Sequence, residues 1–170
     1  MSFYSLIPAL ALVSHLVLLL IVAALLFRHQ WGNKIVSWLT DKSLLIGFLI
    51  SLAATIGSLV YSEVLGFTPC VLCWYQRLFI YPQVILFGLA WWHRDYSIGR
   101  YLAPLSIIGG IISLYHSYTQ LGGVSLLPCT ATGAECSKVF VMEFGYITIP
   151  AMALTTFIYL FIFSRLAGTR

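Results

Sequence analysis

The chain has 170 residues, 61% of them hydrophobic, 15% aromatic and only 8% charged, with a net charge of +4. A soluble domain carries roughly a quarter charged residues, so nine basic and five acidic side chains are too few to coat a water-facing surface. The sequence pI near 9.0 reflects charges scattered between apolar blocks. With no basic patch, a nucleic-acid partner is excluded, and the charges become topology signals of an integral membrane protein.

Five blocks are long enough to cross a bilayer. The first, Leu6 to Phe27, has no Asp, Glu, Lys or Arg; its 22 residues reach about 33 Å as a helix, against a hydrocarbon core of about 30 Å. No basic residue precedes it and no small-x-small cleavage pattern follows, so it reads as a span and not as a signal peptide. The second block runs from about Leu44 to Leu65, the third from Trp74 to Trp92, the fourth from Tyr101 to Thr119 and the fifth from Ile147 to Ser164. Runs of this length exceed a barrel strand, which leaves helices. Pro82, Pro104 and Gly109-Gly110 lie inside spans and read as packing features.

Charge fixes the expected direction. With five crossings, Arg28, Lys34 and Lys42, then Arg94 and Arg100, then Arg165 and Arg170 all fall on one side. The positive-inside rule makes that side cytoplasmic, with the N-terminus outside and the C-terminus inside. The outer loops are 66–73 and 120–146, and apart from Arg77 their one basic residue is Lys138. No internal repeat or linker divides the chain, so a single membrane domain is expected.

All four cysteines then lie outside: Cys70 and Cys73 where the third block begins, Cys129 and Cys136 in the loop before the fifth. An even number of thiols in an oxidising compartment favours disulfides; four cysteines allow three pairings, of which Cys70–Cys73 with Cys129–Cys136 is the first guess. Structural staples fit Cys129–Cys136 better than Cys70–Cys73, since a bridge closing so short a loop removes little chain entropy. A Cys-x-x-Cys pair at a helix start is more usually a redox or metal pair. Thr68-Pro69 reads as an N-cap followed by Pro at the first helical position, placing both thiols where the helix dipole favours a thiolate. A zinc centre held by all four cysteines is the rival chemistry, though six residues between Cys129 and Cys136 are more than the usual ligand spacing and the compartment favours disulfides.

Arg77 lies four residues beyond Cys73, on the same face and one turn deeper. Against a snorkelling arginine stands the cost of an intramembrane cation, which marks a functional residue. Its expected work is to stabilise the Cys73 thiolate and bind a polar headgroup within the membrane, with Gln76 beside it as a second donor or an interhelical partner.

Pro69-Cys70-Val71-Leu72-Cys73-Trp74-Tyr75-Gln76-Arg77, the later outer cysteine pair and Phe144-Gly145-Tyr146-Ile147-Thr148-Ile149-Pro150 together resemble the DsbB/BdbC family of disulfide bond formation proteins, most closely its short BdbC-like branch. The resemblance covers roughly Leu44 to the C-terminus. It implies a four-helix transmembrane bundle, to which the first block adds an extra N-terminal helix. It also implies a quinone-dependent protein-disulfide oxidoreductase of the bacterial cytoplasmic membrane. Such an enzyme reoxidises an extracytoplasmic thioredoxin-fold thiol oxidase (DsbA/BdbD-like) and passes the electrons to ubiquinone or menaquinone. By the resemblance, Cys129 takes the partner's thiol with Cys136 as its companion, Cys70 receives electrons from the loop pair, Cys73 engages quinone, and Arg77 is the quinone-site arginine.

The residues suggest the same route on their own terms. Exchange needs an accessible disulfide outside and a second pair near lipid, where an isoprenoid quinone resides. His116, near the outer end of the fourth block, is a candidate for lining the quinone pocket or for bonding a neighbouring helix. Glu63 is a candidate proton relay or an interfacial acid. His15 is assigned packing only, and His29 and His93 lie at cytoplasmic ends. Ser137–Phe144 either lies along the membrane surface or begins the fifth span. The competing class is a non-catalytic scaffold or transporter subunit with structural disulfides, but a transporter should pair polar residues at mid-membrane. In vitamin K epoxide reductase-like proteins the loop cysteines precede the Cys-x-x-Cys pair, and here they follow it.

Overall fold

The computed structural model describes residues 3–27, 33–123, 136–142 and 147–169, with side chains from Leu10 in the first helix and Lys34 in the second. Six α-helices follow in chain order: α1 (Phe3–Leu26), α2 (Asn33–Asp41), α3 (Ser43–Leu59), α4 (Val71–His93), α5 (Gly99–Gln120) and α6 (Ile149–Ala167). A π-helical turn, Val60–Val64, extends α3, and a 3-10 turn, Tyr96–Ile98, leads into α5. Helices α3 to α6 pack as a ring: each touches the next in sequence and α6 closes against α3, while α1 and α2 lie outside against α6.

Among the described residues, three segments are long and apolar enough to cross a membrane: Ser43–Val64, Tyr96–Gln120 and Ile149–Ala167, with mean hydropathies of 2.2, 1.4 and 1.6. At 23 residues α4 is long enough to join them, but Gln76, Arg77 and Gln83 dilute its hydropathy, and all three are buried against other helices. Its outward positions are apolar: Leu78, Ile85 and Leu89 are exposed, as a lipid-facing stripe requires. In α1 the apolar stretch with described side chains is Leu10–Leu26.

The helix starts follow local chemistry. Thr148 caps α6, its hydroxyl accepting from the Ala151 N–H at 3.4 Å, and Pro150 sits in the first turn where a missing N–H costs nothing. The Thr-Ile-Pro end of the sequence motif is therefore a helix start. At α4 the cap is Cys70, not Thr68 as the sequence suggested. The chain from Gly66 to Pro69 stays non-helical because the Phe67 N–H is tied back to Tyr61 O at 3.0 Å and the Phe67 ring stacks between Tyr61 and Phe140. The surface helix α2 was also missed; its exposed Ile35 and Trp38 and buried Leu39 lie between two charged stretches too short to read as a block.

Glycines and aromatic rings interlock in the body of the bundle. A Cβ on Gly109 would lie 2.2 Å from the Phe157 ring, and one on Gly47 would lie 2.4 Å from Phe87. Such close approach between helices is what small residues allow in membrane bundles. Gln83, wholly buried, donates to Phe79 O at 2.9 Å and accepts from Ser106 Oγ at 2.9 Å, joining α4 to α5. Lys42, Arg94, Arg100 and Arg165 gather at one end of the helices; Cys70, His116 and Cys136 lie at the other.

Candidate redox site

Cys70 is almost fully buried, and three donors converge on its sulfur. The Cys73 thiol lies 3.1 Å away, the Cys73 backbone N–H donates at 3.4 Å, and His116 Nε2 lies at 3.6 Å from α5. Gln76 Nε2 donates to His116 Nδ1 at 3.2 Å. Since an amide nitrogen only donates, Nδ1 accepts and the ring proton sits on Nε2, facing Cys70. The hydrogen bond from Cys73 holds the Cys70 thiol well below its ordinary 9.0; burial opposes this, and His116 and the Cys73 N–H reinforce it. Cys70 precedes the first turn of α4, where the helix dipole adds in the same direction.

Two expectations change here. Cys70 and Cys73 are free thiols and not a bridge, and the hydrogen-bond donors gather on Cys70, whereas the sequence placed both thiols at the helix dipole and added the Arg77 cation for Cys73. His116, 1% exposed, sits behind Cys70 and is not among the residues lining the nearby cavity. The interhelical alternative holds for it: α4 and α5 are joined through its two ring nitrogens.

Arg77 does not snorkel. Its Nε donates to Ser58 Oγ and its Nη2 to Ser58 O, both at 2.9 Å, and its guanidinium lies 5.3 Å from the Trp74 ring centroid. Ser58 lies two residues before the π turn at Val60–Val64, and its carbonyl also accepts from Ser62 Oγ at 3.4 Å. In lipid, an arginine must find such partners.

Cys73, Gln76 and Arg77 line a cavity of about 350 Å³, within the range of small-molecule sites. Tyr61, Phe67 and Phe140 form one wall, stacked with ring centroids 5.9 and 5.0 Å apart. Such a wall suits a flat ring. Phe140 comes from the segment between α5 and α6, which is held down by Gln120 donating to Lys138 O at 3.2 Å and by buried Val141. Thus the described part of Ser137–Phe144, up to Met142, does not begin α6, and its Phe140 lines the cavity. Glu63 is exposed, accepts from Ser62 Oγ at 3.0 Å, and is not part of the lining.

Cys136 is disulfide-bonded and buried, in one cluster with Cys70 and Leu72. Cys129 lies outside the described residues, as do His29 and Phe144–Tyr146. Disulfide-bonded Cys136 offers no thiolate to a metal. Cys70, Cys73 and His116 do bring three potential ligand atoms within 4.8 Å of one another. Sequence reasoning missed the contact of His116 with Cys70, since 46 residues separate them and only helix packing joins them. His15 was missed too: it lines the cavity from α1.

Comparison with known proteins follows the same residues. The family model for the disulfide bond formation protein DsbB matches residues 40–167. Disulfide bond formation protein C of Bacillus subtilis is 42% identical over 118 residues, covering 68% of this chain and 85% of that protein. A probable disulfide formation protein C of Bacillus cereus is 43% identical over 123 residues, 69% of this chain and 86% of its own length. A probable disulfide formation protein of Metapseudomonas resinovorans is 38% identical over 124 residues, covering 72% and 86%. No solved structure matches the chain.

Proposed function

The chain belongs to the DsbB family of disulfide bond formation proteins, and from that premise we propose that it is a quinone-dependent thiol oxidoreductase. Its substrate is an extracytoplasmic thioredoxin-fold thiol oxidase (DsbA/BdbD-like), which it returns to the disulfide form. The observation that carries this reading is the placement of the two free thiols: Cys70 packs against disulfide-bonded Cys136, while Cys73 faces the cavity with Arg77. One pair thus touches both a second disulfide and a ring-shaped site, as a relay requires.

In the proposed relay, α3, α4, α5 and α6 span the bacterial cytoplasmic membrane as a four-helix bundle and α1 adds a fifth crossing. The cysteines lie outside and the C-terminus in the cytoplasm. The partner's two thiols become a disulfide as the Cys129–Cys136 bridge is reduced to two thiols. Those thiols reduce the Cys70–Cys73 bridge by exchange, re-forming the loop bridge and leaving both electrons on Cys70 and Cys73, one proton on the Cys73 thiol and the other released to water as Cys70 becomes a thiolate. Free Cys70 and Cys73 beside a disulfide-bonded Cys136 correspond to this electron-loaded form. His116 and the Cys73 N–H hold the Cys70 sulfur as thiolate, the attacking species when the bridge re-forms. Gln76 fixes the His116 tautomer that makes this possible.

The cavity fits a quinone headgroup: an aromatic wall, a fixed guanidinium and serine and threonine hydroxyls from α3 and α6. Arg77, Gln76 and Cys73 would hold it. Bound quinone supplies the two-electron acceptor and takes up two protons. The test is a thiol count by mass-tagging alkylation on reduced, detergent-solubilised protein, before and after anaerobic quinone. Protection of all four cysteines with quinol formed in proportion is the expected result. Unchanged thiols would end the reading; metal bound at Cys70, Cys73 and His116 would then mark a metal centre, and its absence structural staples.

A further inference from the structure

Helix α1 lies outside the family match, which begins at residue 40. It nonetheless supplies Leu10, Ala11, Ser14 and His15 to the lining of the cavity that holds Cys73 and Arg77. These positions are spaced to share one helix face, and the face continues through Leu18, Ile21 and Leu25 onto Tyr159 and Phe163 of α6. The opposite face, Val13, Leu16, Val17, Leu19 and Leu20, is exposed as a lipid-facing surface would be.

The need for this wall is visible in the two helices behind it. On the cavity side α3 presents Ala53, Ala54, Gly57 and Ser58, and α6 presents Ile149, Met152, Ala153, Thr155 and Thr156. Between these positions the cavity is closed by α1, so a bundle of α3 to α6 alone would leave a gap through which the cavity that holds Arg77 meets lipid. Two polar contacts fix α1 over the gap. His15 Nδ1 bonds Ala11 O at 2.6 Å within α1, and Nε2 lies 3.0 Å from Thr155 Oγ1, whose hydroxyl proton is shared with Ala151 O. One turn further along α6, Tyr159 OH donates to Ser14 O. Away from water such contacts have no solvent alternative, so they specify register as well as attachment.

We infer that α1 is the outer wall of the quinone cavity and determines how tightly the ring is held, with His15 a positioning residue that locks α1 to Thr155. This rests on the quinone reading above and deepens it. The ring enters past α1, and the α1 face discriminates among headgroups by fit.

The test uses the full chain in nanodiscs and a decyl-tailed azidobenzoquinone, with its naphthoquinone counterpart, photolysed anaerobically and mapped by peptide mass spectrometry. The expected result is labelling of both the α1 peptide around Leu10–His15 and the α4 peptide around Cys73–Arg77, both suppressed by excess unlabelled quinone. Competed label on α4 but not α1 overturns the inference and spares the quinone reading. Absence of any competed label overturns the quinone reading itself. As a second readout, Ala11→Phe pushes a ring into the cavity from the α1 side. It should raise KM for decylquinone by roughly tenfold or more, the scale of steric discrimination in an apolar pocket. Exchange with the thiol partner should be unchanged. Leu20→Phe, on the exposed face, should leave KM alone. Equal KM values for Ala11→Phe and the unmodified chain would place α1 outside the site. For His15, rescue of KM by His15→Asn or His15→Gln but not by His15→Leu separates the hydrogen bond to Thr155 from bulk packing.

Discussion

The two ends of the bundle are built on opposite principles. In the body and toward the basic end, glycine meets aromatic ring, as at Gly109 on Phe157 and Gly47 on Phe87, and the buried Gln83 has both its amide atoms engaged. At the cysteine end, helix geometry is relaxed into a π turn, an arginine is buried on a backbone carbonyl, and four helices surround a cavity beside a thiol that accepts three hydrogen bonds. Close packing sets the frame in one region so that the other can hold polar groups and empty space without collapsing. Stability and chemistry are therefore separable by mutation.

The largest effect is expected from Cys73→Ser, which should reduce quinol formation to the uncatalysed background while the thermal midpoint in detergent stays near that of the unmodified protein. A midpoint falling with the activity would show that the cysteine end also supports the frame. Gly109→Leu is the converse. Its side chain has no room against Phe157, and overpacking of this kind costs ~1–3 kcal/mol or more. Its thermal midpoint should fall by several degrees, while the alkylation rate of Cys70, measured below the transition, should not change.

Arg77→Lys sharpens the comparison within the cysteine end. Lysine keeps the charge but loses the two-point grip on Ser58. A lost charge-assisted hydrogen bond is worth ~1.5–3 kcal/mol, roughly 10- to 100-fold in kcat/KM for quinone, and partner exchange should be spared. His116→Phe acts on the other side of the same helix. Removing one donor to Cys70 should move the pH midpoint of its alkylation upward, toward the ordinary 9.0. The sign extends to stability. A depressed thiol pKa stabilises the reduced protein fully above 9.0 and progressively less as pH falls through the lower folded value. At neutral pH, therefore, His116→Phe should destabilise the dithiol form relative to the bridged one and make the pair a weaker oxidant. An unmoved alkylation midpoint would remove His116 from the site.

The membrane blocks, the cysteine motif and the oddity of Arg77 were legible because each is a local departure from composition or spacing. Ser43–Val64, Tyr96–Gln120 and Ile149–Ala167 came through with shifts of a few residues, since apolar length is written directly in the chain. What stayed hidden depends on neighbours. Cys70 displaced Thr68 as the α4 cap because Phe67 is held by Tyr61 and Phe140, and a ring from the distant loop has no signature near residue 68. The π turn leaves no mark in Val60–Val64 itself; its structural companion is the arginine that takes the Ser58 carbonyl from α4. His116 and His15 looked alike in sequence, single histidines in apolar runs, and packing gave one a thiol and the other a cavity wall.

The smallest effect probes the frame where it departs from ideal geometry. Arg94 ends α4 in the left-handed region at φ 55, with its N–H on Trp91 O at 3.3 Å and the Asp95 N–H on Ala90 O at 2.9 Å. A side chain there costs ~1–2 kcal/mol that glycine would not incur. Arg94→Gly should therefore raise the thermal midpoint by a few degrees, with Lys42, Arg100 and Arg165 still supplying the positive charge of that end. Because the strain sits at the basic end, kcat/KM for quinone and the pH midpoint of Cys70 should both stay where they are. A shift in either would mean that the two ends are mechanically coupled through α4, whose N-terminus carries the Cys-x-x-Cys pair and whose C-terminus carries this turn.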